Sequence, residues 1–72
     1  MRITFDRSAN AAYIELTAAG PAGIVKSEIV APPHMRGTIN LDFNKSGRLI
    51  GIEILNATRL LPAEILEGAE RL

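Results

Sequence analysis

The chain has 72 residues and no cysteine, and its eight basic side chains balance its eight acidic ones, so the formal net charge is zero. This length allows a single domain, residues 1–72, near the size at which one core becomes marginal. The absence of cysteine excludes disulfides and thiolate metal sites. Scattered, balanced charges argue against nucleic-acid binding, which usually needs a basic excess. No apolar run approaches the roughly 18 residues of a membrane span, so we expect a cytoplasmic protein.

Hydrophobic side chains alternate with polar ones near the N-terminus, and this period of two predicts strands. The alternation covers residues 2–5 and again residues 12–16. Between them lie Asp6, Ser8 and Asn10, whose side chains bond nearby backbone groups and favour turns. The two strands are therefore predicted to form a hairpin.

A third strand is predicted at residues 24–30, where β-branched side chains are frequent. It follows a loop at residues 17–23 that a Gly-Pro dipeptide marks. Beyond the strand, Pro32 and Pro33 lack the N–H groups that a central strand must donate. Residues 31–37 are therefore predicted to be an exposed connection.

The clearest alternation predicts a hairpin in the second half of the chain. Its strands are expected near Thr38–Phe43 and Leu49–Leu55, joined by a polar turn at residues 44–47 in which Gly47 is free to take a positive φ. This hairpin is expected to hold most of the core. The side chains predicted to be buried there are Ile39, Leu41, Ile52 and Ile54.

The last third of the chain predicts helical structure. Residues 56–61 suit one helical turn, and Pro62 suits the first position of a second helix. Apolar residues recur there at the spacing of one helical face. They are Ile65, Leu66, Ala69 and Leu72. The predicted fold class is α+β, an antiparallel β-meander of about five short strands with a short C-terminal helix packed on one face.

One motif resembles a calcium-binding loop. Asp42, Asn44, Ser46, Gly47 and Glu53 stand almost where an EF-hand loop places its oxygen ligands and its glycine. An EF-hand loop is flanked by two helices, whereas both flanks here alternate with the period of a strand. We place Asp42 and Asn44 at the turn of a hairpin, from which the Glu53 carboxylate is too distant to share an ion. No metal ligand is predicted.

Two other sets of residues were weighed as candidates for chemistry. His34 is the only histidine, and it follows two prolines in a loop that gives an imidazole little support. Glu15, Glu28 and Glu53 are expected near one another on the sheet face away from the helix, where a solvated surface is the simpler interpretation. We predict no catalytic residue and no cofactor.

Three stretches together resemble a known family: residues 6–16, which contain NAAYIEL, residues 41–55, LDFNKSGRLIGIEIL, and residues 56–62. The family consists of small bacterial and archaeal proteins and is classed only as a domain of unknown function, number 2283. The resemblance implies a β-rich domain with a short helical tail. It supplies no catalytic signature. Members usually have more acidic residues at the positions of Asn44, Lys45 and Ser46. Some relatives are encoded beside small toxin-like proteins, which implies an antitoxin-like partner role.

The leading functional hypothesis is a non-enzymatic interaction module. It would self-associate as a homo-oligomer, or bind a small protein partner, through a sheet edge or a sheet face. The alternative is a small ligand- or metal-binding protein, or an enzyme whose site Glu15, Glu53 and His34 complete across a dimer interface.

Overall fold

The computed structural model describes residues 1–18 and 20–72, which form one sheet and two short helices. The strands are β1 (Arg2–Asp6), β2 (Ala11–Glu15), β3 (Lys26–Val30), β4 (Thr38–Phe43), β5 (Leu49–Leu55) and β6 (Glu70–Arg71). The helices are α1 (Ala57–Leu60) and α2 (Ala63–Glu67), and a 3-10 turn (Pro21–Gly23) precedes β3. Ala19, in the predicted 17–23 loop, lies outside the described residues. Neither described helix is long and apolar enough to cross a membrane.

The sheet is mixed and its strand order is β3-β4-β5-β2-β1-β6. Every neighbouring pair is antiparallel except β1 and β6, which run parallel. The prediction of about five antiparallel strands is therefore wrong in two respects. The sheet has a sixth strand, β6, and β6 runs parallel to its neighbour β1. The single meander is also wrong. The β1–β2 hairpin and the β3–β4–β5 meander are two units joined by the pairing of β2 with β5.

The C-terminal helix is shorter than predicted, because α2 ends at Glu67 and the chain then turns at Gly68. Glycine is a poor helix former, and the segment beyond it gains hydrogen bonds by pairing with β1 instead. The predicted apolar stripe is correspondingly half wrong. Leu66 and Ala69 are buried, whereas Ile65 and Leu72 are exposed.

Both predicted hairpin turns are confirmed, and an acidic or amide side chain organises each of them. The Asp6 carboxylate accepts hydrogen bonds from the Ser8 N–H at 3.1 Å and the Ser8 hydroxyl at 2.8 Å. In the second hairpin, Asn44 Oδ1 accepts the backbone N–H groups of Ser46 and Arg48, both at 3.0 Å. Gly47 has a φ of 79°, in the left-handed region that glycine enters without strain.

The hydrophobic core lies between one face of the sheet and the two helices. Its buried members are Phe5, Ala12, Ile54, Ala57, Leu66 and Ala69. Partly buried side chains packed against them are Ile3, Ile14, Ile39, Ile52, Leu60 and Leu61. Of the four predicted core residues, Ile54 is 3% exposed, Ile39 and Ile52 are partly buried, and Leu41 is half-buried outside this cluster.

Ile54→Ala should lower the free energy of unfolding by about 2–5 kcal/mol, the usual cost of emptying a buried isoleucine site. Ile52→Ala should cost less, because Ile52 is only partly buried. Ile29→Ala is the matched control, since the Ile29 side chain is exposed. Urea unfolding of the three variants measures the order of these losses. An Ile54 variant as stable as the Ile29 variant would contradict this core.

Candidate functional site

The face of the sheet opposite the helices is polar at its centre, and we call it the open face. Strand alternation and pairing place its central residues on β2, β3, β4 and β5. These residues are Tyr13, Glu15, Ser27, Asn40, Asp42, Gly51 and Glu53.

Asp42 lies at the centre of the open face and is only 4% exposed. Its Oδ1 accepts the Ser27 hydroxyl at 2.6 Å and the Asn40 amide at 3.3 Å. Its Oδ2 accepts the Tyr13 hydroxyl at 2.8 Å. Hydrogen bonds to both oxygens satisfy a carboxylate that would otherwise be costly to bury. We call these four side chains the Asp42 network.

Gly51 makes the Tyr13–Asp42 hydrogen bond possible. Gly51 of β5 lies between β2 and β4 and is the pairing partner of both Glu15 and Asp42. The Tyr13 ring crosses over Gly51, and a Cβ at this position would overlap the phenolic oxygen and the adjacent ring carbon. A glycine inside a strand often marks such a close approach.

Burial of its ring, followed by its hydrogen bond to Asp42, raises the pKa of Tyr13 to about 12. The phenol is therefore a neutral hydrogen-bond donor at physiological pH. Because all three neighbours donate to the Asp42 carboxylate, its oxygens are occupied by structural partners. The Asp42 network links β2, β3 and β4 through their side chains.

The predicted carboxylate group is only partly assembled. Glu15 and Glu53 lie on the open face, where Glu53 pairs with Tyr13. Glu28 does not join them, because it pairs with Leu41 and so points to the other face, where it forms an ion pair with Lys26 at 3.1 Å. The expectation that the three glutamates lie near one another is wrong. It did not take account of the β3–β4 register, which directs the Glu28 side chain to the opposite face of the sheet.

His34 lies exposed in the 31–37 connection, beyond the end of β3 that carries Val30. Glu15 lies toward the opposite end of the sheet, in the row that contains Gly51 and Asp42. Within one copy of the chain, therefore, the fold separates His34 from Glu15 by the length of the strands.

The resemblance to a calcium loop does not extend to its geometry. Asp42 belongs to β4 rather than to the turn where we had placed it, and its side chain faces Tyr13. Asn44 directs its side-chain oxygen to the turn backbone, where it accepts two N–H groups. The described residues contain no group of three acidic or histidine side chains that could hold a metal ion. The absence of calcium binding stays a prediction.

A second surface of interest is the outer edge of β3, the last strand on its side of the sheet. All five of its residues are exposed, and Ile29 reaches 71% exposure. Val25, next to the strand, is exposed as well, although its N–H bonds the Phe43 carbonyl at 2.9 Å. Ser27 alone ties this strand to the Asp42 network.

A groove of about 490 Å³ lies between β1, β6 and α2, lined by Phe5, Arg7, Leu66, Glu67 and Arg71 among others. The Arg71 guanidinium sits 5.7 Å from the centre of the Phe5 ring, within cation–π range. None of the residues singled out from the sequence as candidates for chemistry lines this groove.

The sequence did not predict the Asp42 network. Tyr13 is half-buried, but its bond to Asp42 depends on the registers of β2 and β4 against β5. The available signal was Gly51, a glycine inside a strand that contains three isoleucines.

A family model described as a protein of unknown function (DUF2283) matches residues 2–57. No curated protein and no solved structure matches the chain at the stringency applied.

Tyr13 should titrate near pH 12 in the folded protein and near the ordinary value of about 10 in the urea-unfolded chain. The folded state therefore binds the Tyr13 proton more tightly than the unfolded chain does. The stabilisation of the fold by the protonated phenol is complete below about pH 10 and is lost as the pH rises toward 12. Tyr13 is the only tyrosine and tryptophan is absent, so the absorbance of tyrosinate reports this residue alone. A folded-state titration near 10 would contradict the buried hydrogen bond.

Gly51→Ala should destabilise the fold by about 1–3 kcal/mol, because the added methyl displaces the Tyr13 hydroxyl and leaves Asp42 short of one donor. Tyr13→Phe removes the same donor. The two losses should therefore sum to more than the loss in the double variant, which urea unfolding of all four chains measures. Strict additivity would show that the two positions act independently.

Proposed function

The chain belongs to the DUF2283 family of proteins of unknown function, and from its geometry we propose that it is a non-enzymatic interaction module that self-associates through the outer edge of β3. The observation that carries the proposal is the exposure of every residue of this edge strand. An uncovered edge presents a row of unpaired backbone N–H and C=O groups, which another strand can satisfy.

The side chains of β3 favour pairing with another strand more than they protect the edge against it. Proteins that protect an edge commonly place charged side chains, especially lysine, prolines or bulges along it, whereas the one lysine of β3, Lys26, is paired with Glu28 at 3.1 Å. Here Val25 and Ile29 are exposed β-branched residues, and the prolines stand beyond the strand, at positions 32 and 33. The opposite edge differs, because β6 has only two residues.

The size of the chain also favours association. Its exposed surface is 4871 Å², and a typical stable interface covers about 800 Å² per partner, about one sixth of that area. The described residues contain few large buried side chains, and none of them is fully enclosed. Burial of the exposed apolar residues near β3 would add to a core that is small for independent stability.

The Asp42 network supports a non-enzymatic role. A general base needs an oxygen within reach of a substrate proton, whereas both oxygens of Asp42 accept hydrogen bonds from the protein. If the chain instead has an antitoxin-like role, a toxin-like partner of different sequence would use the same edge by adding a strand. The proposal includes a cytoplasmic location, which stays a prediction.

Light scattering across the micromolar range should give a mass above the 7.8 kDa of one chain. Ile29→Lys should return the mass to 7.8 kDa, because a charge on the edge opposes strand addition. Leu72→Lys is the matched control: Leu72 is 74% exposed against 71% for Ile29, but it lies at the opposite edge.

The Leu72 variant should associate like the unmodified chain. Association of the Ile29 variant at the same strength would exclude β3 as the surface. A mass of 7.8 kDa for the unmodified chain at every concentration would overturn self-association itself.

A further inference from the structure

The segment centred on Ser27 has the same chemical pattern in both directions. Counting outward from Ser27, each arm has one charged residue followed by two β-branched ones. One arm is Lys26, Val25 and Ile24, and the other is Glu28, Ile29 and Val30. Lys26 and Glu28 have opposite charges. When two copies of this segment run antiparallel, each of these charges can therefore lie opposite the opposite charge of the other copy.

Two copies of an edge strand can pair antiparallel about a twofold axis perpendicular to the sheet. This axis keeps equivalent faces on the same side of the joined sheet. Neighbouring residues point to opposite faces, so the axis must pass through a residue and not between two. Each possible register is therefore defined by the residue at its centre.

Charge selects among these registers. A centre at Lys26 or at Glu28 places that charge directly opposite the same charge of the other copy, which is destabilising. A centre at Ile29 places Lys26 opposite Pro32 and Glu28 opposite Val30, so neither charge faces an opposite charge. A centre at Ser27 places Lys26 opposite Glu28 and Glu28 opposite Lys26.

We propose that the partner of the β3 edge is a second copy of this chain, paired antiparallel in the register centred on Ser27. This inference rests on the interaction module proposed above and names its partner and its register. Lys26 of each copy lies opposite Glu28 of the other on one face, and Val25 lies opposite Ile29 on the other face. The two sheets join into one.

The geometry of the free edge suits this register. Lys26 and Glu28 are exposed and already on one face, with 3.1 Å between Nζ and Oε1, so in the dimer each carboxylate lies between two ammonium groups. The ladder between the two copies is bounded at Val25, whose N–H already donates to the Phe43 carbonyl, and by Pro32 after Val30.

A charge-exchange experiment tests the register. With Lys26→Glu alone, the two glutamates at positions 26 and 28 of one copy face the two glutamates of the other copy. With Glu28→Lys alone, two lysines face two lysines in the same way. Each variant should therefore sediment as a 7.8 kDa monomer. An equimolar mixture of the two should sediment at twice that mass, because every charge then faces its opposite. The chain with both substitutions keeps a net charge of zero and should form a dimer by itself.

The mixture cannot be rescued by an ion pair within one chain, because each single variant carries only one sign at positions 26 and 28. The double variant excludes simple attraction between chains of opposite net charge. Dimeric single variants, or a monomeric mixture beside a dimeric unmodified chain, would overturn the register while self-association stands. A monomeric unmodified chain would overturn both, and the Ile29→Lys comparison separately reports whether the β3 edge is the surface.

Discussion

The buried carboxylate of Asp42 is the interaction on which the arrangement of the sheet most depends. The sheet consists of a two-stranded hairpin and a three-stranded meander, and main-chain pairing between β2 and β5 is what joins them. The Tyr13–Asp42 hydrogen bond adds a side-chain link from β2 to β4, which passes over β5. A shift of β2 against β5 by two residues would leave Asp42 buried without this donor, so the network penalises the wrong register.

The same carboxylate fixes the outermost strand. β3 has no buried residue, so it lacks the apolar contacts that hold the central strands. Apart from its ladder with β4, it is fixed by the Ser27 hydroxyl, which reaches Asp42 Oδ1 at 2.6 Å. At the other edge, β6 is held to β1 by the Arg2 guanidinium, which donates to both oxygens of Glu70 at 2.7 and 2.9 Å. These bonds raise the pKa of Arg2 and lower the pKa of Glu70. Both edges therefore depend on polar contacts.

The sequence predicted what local patterns determine. The strands Thr38–Phe43 and Leu49–Leu55 have the bounds expected for them, because alternation defines their length and Asn44 and Gly47 define the turn between them. What it failed to predict depends on distant contacts. The short strand β6 exists because Glu70 meets Thr4 across almost the whole chain, and an apolar spacing that resembled a helix gave no sign of it. The Asp42 network likewise needs the register of three strands, for which Gly51 was the only local signal.

An exposed edge strand pairs with another strand more favourably when the rest of the fold already holds its backbone in place. Association costs conformational entropy when a binding segment must first become ordered. β3 is ordered before any partner arrives, because Ser27 is bound to Asp42 and Val25 is bound to the Phe43 carbonyl. The charges of Lys26 and Glu28 and the apolar side chains of Val25 and Ile29 remain exposed on this fixed backbone. The polar network of the open face thus supplies, in the free chain, the preorganised strand that edge pairing requires.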